Sequence, residues 1–148
     1  MGLLARAAAY GRMIRLSHSV FALPFALASF ALATRQGGFD GRVLFWIVVA
    51  MVAARSAAMG VNRLADHAID ARNPRTASRE LPRGVLTRRE VWLFVGVSVA
   101  AFVLAAGMLN PLCLALSPVA LAIVFGYSWT KRFTDLSQLA LGLSLVGI

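Results

Sequence analysis

Four apolar runs, each about twenty residues long, decide most of what this chain can fold into. They occupy 17–34, 43–61, 91–109 and 112–130, and each is long enough as a helix to cross ~30 Å of hydrocarbon. A water-soluble domain needs a polar skin. Here only 14% of the 148 residues are charged, 59% are hydrophobic and the mean hydropathy is +0.75, which excludes that class. The expectation is an all-α membrane protein: a transmembrane helical bundle of four full spans, forming one integral-membrane domain over 1–148 without internal repeat or linker. A further run, 136–148, has only thirteen residues and reaches about 20 Å. It predicts a truncated fifth span, and the chain as the N-terminal part of something longer. A re-entrant or interfacial final helix is the alternative.

The net charge of +9 would point a soluble protein towards nucleic acid. Its distribution points elsewhere. Twelve basic residues fall before the first run, between the second and third, or after the fourth, against two (Arg35 and Arg42) on the opposite side, with Arg55 inside a span. Under the positive-inside rule this predicts a multi-pass protein of the inner (cytoplasmic) membrane with its N-terminus and the 62–90 segment in the cytoplasm, and no nucleic-acid partner. The single cysteine, Cys113, rules out a disulfide framework within the chain. Gln36-Gly37-Gly38 and Asn110-Pro111 read as tight turns between antiparallel spans. The 62–90 segment, punctuated by Pro74, Pro82 and Gly84, reads as a structured loop of the kind that carries function.

At the end of the second span the chain reads GVNRLADHAIDARNPRT. On a helix, residues four apart drift by only about 40°, so Asn62, Asp66 and Asp70 share a face over about 12 Å. Arg55, seven residues earlier, lies within about 20° of the same line. An arginine inside a span is costly unless it meets a counter-charge or a watery cavity, which makes it a functional candidate. Hard oxygen ligands beside basic groups suit Mg²⁺ shared with a phosphate, since this ion takes one or two carboxylates and completes its octahedron with water and phosphate. A solvated helix end with i,i+4 ion pairs is the plainer alternative. Two aspartates four apart speak against that, because they repel unless a cation lies between them.

The pattern NxxxDxxxD in NRLADHAID, followed by ARNPRTASRELPRG, resembles the UbiA family of intramembrane aromatic prenyltransferases. The segments MIRLSHSVFALPFALASF and FGYSWTKRFT resemble the 4-hydroxybenzoate branch in the same order, so the likeness extends over essentially the whole chain. It implies a bundle of about nine helices, of which this would be half. Two Asp-rich motifs, one per half, would hold a polyprenyl diphosphate through Mg²⁺ while an electron-rich ring attacks the allylic carbon. By resemblance, Asn62, Asp66 and Asp70 are the first-motif ligands, with Asp66 and Asp70 catalytic. Lys131 and Tyr127 would contact the diphosphate, Lys131 also in a catalytic role. Arg15 would face the aromatic acceptor, and Arg55 would serve either substrate. Simpler roles stand beside these: Lys131 as a membrane-surface anchor, Tyr127 as a belt aromatic, Arg15 as a snorkelling arginine, Arg55 as a structural partner of Asp66.

The second motif has no match in this chain, since Asp135 has no carboxylate four residues on. Catalysis would therefore need the missing C-terminal half. The likeness extends to members that prenylate a dihydroxynaphthoate for menaquinone, so that acceptor stays open beside 4-hydroxybenzoate and ubiquinone. A CDP-alcohol phosphatidyltransferase is disfavoured because Asn62 stands where that fingerprint begins with Asp-Gly. A non-enzymatic transporter or assembly subunit would use Arg55 and the aspartates as a polar pathway.

Overall fold

The computed structural model describes residues 3–14, 23–34 and 38–130. Five helices appear there in order: α1 (Leu3–Met13), α2 (Leu23–Ala33), α3 (Gly41–Arg72), α4 (Arg88–Leu109) and α5 (Pro111–Thr130). Three of them, α3, α4 and α5, are long and apolar enough to cross a membrane. Of the first expected span, 17–34, the described part is the eleven-residue α2. The truncated fifth span, 136–148, lies outside the described residues.

Helix α3 dominates the architecture. It starts where the Asp40 carboxylate accepts the N–H of Arg42 at 2.8 Å, satisfying one of the free amides of the first turn. Its 32 residues rise about 48 Å, well beyond the ~30 Å of hydrocarbon. The motif therefore sits on a helical projection past the apolar part of the span. This corrects the reading of 62–90 as loop: residues 62–72 continue the helix, and only 73–87 are turns. Nothing between Val61 and Asn73 breaks a helix, and Ala65, Ala68 and Ala71 favour one. Pro74 then ends it, because the residue before a proline is pushed out of the helical region. Asn73 is accordingly extended, at φ −98° and ψ 119°.

Helix α4 opens with a capping box. The Glu90 N–H donates to Thr87 Oγ1 at 3.3 Å while the Thr87 N–H donates to Glu90 Oε2 at 2.8 Å. A single residue, Asn110, joins α4 to α5, and its side-chain oxygen accepts the N–H of Cys113 at 2.7 Å. Inside α5, Pro118 has no N–H to offer the carbonyl of Leu114. The Ser117 hydroxyl donates to that carbonyl at 2.8 Å, so an apolar helix keeps a proline without leaving the group bare to lipid.

Packing concentrates at the motif end. Ala9, Met13 and Ile14 near α1, Val61 and Leu64 on α3, Leu81 and Leu86 in the 73–87 segment, and Val91 and Val95 on α4 form one buried cluster. Helices α3 and α4 pack tightly at Gly60, where an added Cβ would overlap the Val95 side chain. Elsewhere the exterior is apolar: Phe25, Leu32, Leu93, Val97 and Leu112 are all exposed, a surface at home in lipid.

Candidate functional site

The three motif residues share a face of α3 but differ in their surroundings. Asn62 and Asp66 are half-buried, and neither side chain has a hydrogen bond or ion pair among the described residues. Asp70 is buried, at 6% exposure, and fully engaged. Arg79 Nη1 donates to Asp70 Oδ1 at 2.7 Å and to Oδ2 at 2.6 Å. The chain turns sharply to make this pair. Asn73 Oδ1 accepts the N–H of Arg75 at 3.0 Å, and the Thr76 hydroxyl donates to the Asp70 carbonyl at 3.1 Å. The reversal carries Arg79 back onto the helix end.

Arg55 lies about 10 Å down the helix from Asn62 on nearly the same line. Its Nε is buried without a hydrogen-bond partner among the described residues. A half-buried cation, an amide and a carboxylate, all without protein partners, thus occupy one face of one helix. Such groups are expensive to leave bare. Together they offer oxygen ligands to a small hard cation and a guanidinium to an anion. Among the described residues no three His, Cys, Asp or Glu side chains come together as a metal cage.

Around this face the N-terminal helix is strapped down. Arg6 pairs with Glu90 at 3.0 Å and Arg12 with Glu80 at 3.4 Å, while Arg63 Nε donates to the Met13 carbonyl at 3.4 Å. Tyr10 stacks on Phe94, with ring centroids 5.1 Å apart. Burial, followed by the nearby Glu90 carboxylate, raises the Tyr10 phenol above its ordinary range, and Arg6 partly offsets this. Tyr127 sits half-buried in the last turn of α5. Arg15 and Lys131 lie outside the described residues.

The sequence profile of the UbiA prenyltransferase family matches residues 22–147. The chain belongs to this family. It is 35% identical to the 4-hydroxybenzoate octaprenyltransferase of Vibrio cholerae over 142 residues, 94% of this chain and 50% of that protein. It is 39% identical to the protein of the same name from Shewanella loihica over 115 residues, 76% of this chain and 40% of the relative. Among solved structures, the apo structure of a UbiA homolog from Aeropyrum pernix K1 superposes with a TM-score of 0.78 at 40% identity, covering 87% of this chain and 46% of that one. The chain thus spans about half the length of the curated UbiA relatives it matches.

Sequence reasoning missed Arg79. It counted this residue among the basic groups of a cytoplasmic segment, a topology signal, whereas the structure gives it a specific carboxylate. Nine residues and a proline turn separate the partners, so no helical spacing links them. The only hint lay in composition: an isolated carboxylate pair needs a cation, and the following segment is rich in arginine.

Proposed function

We propose that this chain is the N-terminal part of a Mg²⁺-dependent aromatic prenyltransferase that moves a polyprenyl group from its diphosphate to 4-hydroxybenzoate in ubiquinone biosynthesis. The observation that carries the reading is a trio on one face of α3 without partners among the described residues: Asn62, Asp66 and the buried Nε of Arg55. Its donor set fits a magnesium–diphosphate pair, with hard oxygens for the metal and a guanidinium for the phosphate. The names of the relatives supply the acceptor. The one-sided distribution of arginines supports an inner-membrane protein whose motif faces the cytoplasm.

In this reading Asn62 and Asp66 would hold the metal, whose chemistry when bound would be to neutralise charge on the departing diphosphate. Arg55 orients the diphosphate or acceptor from deeper in the helix, and Tyr127 contacts the phosphates, as does Lys131 by the family resemblance. Arg15 forks onto the acceptor carboxylate. The allylic C–O bond breaks with its electron pair leaving on the diphosphate, a ring carbon bonds to the allylic carbon, and the proton on that ring carbon passes to water. Asp70, whose carboxylate accepts from Arg79, would be the third oxygen ligand, with Arg79 placed beside it as a further cation for the diphosphate. A second Asp-rich motif, beyond the part of the relatives matched here, completes the site.

The test is incubation of the full-length protein with 4-hydroxybenzoate and labelled polyprenyl diphosphate, with and without Mg²⁺. Metal-dependent transfer that disappears in Asp66→Asn supports the assignment. Transfer that ignores both metal and Asp66 overturns it.

A further inference from the structure

Gly60, Val61 and Leu64 pack with Val91 and Val95 of α4, and they lie on the opposite side of α3 from the line through Arg55, Asn62 and Asp66. The motif face is thus turned away from α4. Arg55 stands on it within the apolar run 43–61, where a guanidinium needs an anion or water.

Among the described residues Arg55 has neither a hydrogen bond nor an ion pair. Its Nε is enclosed, but the residue is only half-buried and its two terminal nitrogens keep accessible surface. An end-on fork to a carboxylate uses those two nitrogens and leaves Nε aside. Snorkelling to the membrane surface does not account for the residue. The Cα–Cβ bonds of α3 tilt towards its N-terminus, away from the motif end, and a snorkelling side chain would run the other way.

Depth then separates the two substrates. A metal-bound diphosphate belongs at Asn62 and Asp66, about 10 and 16 Å from Arg55 along the helix axis, and the Arg55 side chain leaves the helix in the opposite direction. The acceptor's own charge falls at the right distance. Attack sets the ring carbon about 3–3.5 Å from the allylic carbon; with the ring and the allylic C–O bond added, a carboxylate across the ring lies roughly 10 Å from the diphosphate.

We infer that Arg55 binds the carboxylate of the aromatic acceptor, and so selects hydroxylated aromatic acids over neutral phenols. This role rests on the prenyltransferase reading and decides between the two substrates open to Arg55 within it. Arg15, assigned to the same carboxylate by resemblance, would be its second cation.

The test titrates 4-hydroxybenzoate, its methyl ester and Mg²⁺–geranyl diphosphate separately into the full-length protein by calorimetry. Arg55→Met is expected to weaken binding of the acid about 10- to 100-fold while leaving geranyl diphosphate within about twofold. Arg55→Lys should keep part of the affinity for the acid, and the uncharged ester should bind the wild type and Arg55→Met alike. Weaker geranyl diphosphate binding in Arg55→Met overturns the assignment in favour of the diphosphate. An equal loss for acid and ester overturns it by marking a structural role. No loss for any ligand overturns it too, by showing that a carboxylate elsewhere in the full-length protein neutralises Arg55. Each of these, with metal-dependent geranyl diphosphate binding intact in the wild type, removes the role of Arg55 alone. A wild type that binds neither geranyl diphosphate nor the acid overturns the prenyltransferase reading with it.

Discussion

Arg79 holds both carboxylate oxygens of Asp70, at 2.7 and 2.6 Å, and so ties the 73–87 segment to the end of the motif helix. The Asp70 side chain is only 8% exposed and that of Arg79 27%. Removing one partner strands a charge in a poorly solvated place, while removing both does not. Arg79→Ala is expected to destabilise by about 3 kcal/mol, at the low end for buried pairs because Arg79 keeps some contact with water. Asp70→Asn with Arg79→Gln should cost clearly less than the two single changes summed. Thermal unfolding in detergent measures this, and strictly additive effects would show that the pair is not coupled.

Asp66 presents the opposite case. With no protein partner among the described residues, its carboxylate contributes little to folding. Asp66→Asn should leave the melting temperature nearly unchanged while weakening Mg²⁺-dependent binding of geranyl diphosphate about 30- to 100-fold, the value of one charged contact. Calorimetric titration with and without metal reads both the affinity and its metal dependence. Unchanged affinity in the variant would remove Asp66 from the site.

At Gly60 on α3 the Val95 side chain of α4 fills the space a side chain would need. Gly60→Ala is expected to cost about 1–3 kcal/mol through overpacking. Adding Val95→Ala should restore part of that loss even though Val95→Ala alone is destabilising. If the second change deepens the loss in full, the overlap is not the cause.

The docking of α1 rests on burial more than on charge. Met13 is 1% exposed, and Met13→Ala should cost about 2–4 kcal/mol. The Arg6–Glu90 and Arg12–Glu80 pairs have arginine side chains 55% and 63% exposed. Arg6→Ala and Arg12→Ala should each cost less than about 1 kcal/mol, and less still in high salt. A larger loss from the two arginine changes together than from Met13→Ala would reverse this ranking.

Much of the architecture was legible because membrane helices follow from composition and length. The runs at 43–61, 91–109 and 112–130 fall inside α3, α4 and α5, and Asn110-Pro111 is the junction between two helices. The stripe of Asn62, Asp66 and Asp70 could be read from spacing alone, since their segment proved helical. Helix ends were less legible, because hydropathy marks where a helix leaves lipid and not where it stops. The extension to Arg72 depended on the absence of a breaker before Pro74.

By itself, then, the sequence determined that the chain lives in a membrane, where its spanning helices run, and which three oxygen-bearing residues line up on one of them. Helical periodicity and the cost of bare backbone in hydrocarbon leave little choice on those points. Only the tertiary structure decided which of the three has a partner among the described residues. Asp66 and Asp70 are equivalent by spacing, and they part company because a proline turn folds Arg79 onto one of them. The far face of α3 was settled the same way: Arg88 and His67 lie 21 residues apart in the chain and border one cavity because α4 packs back against α3.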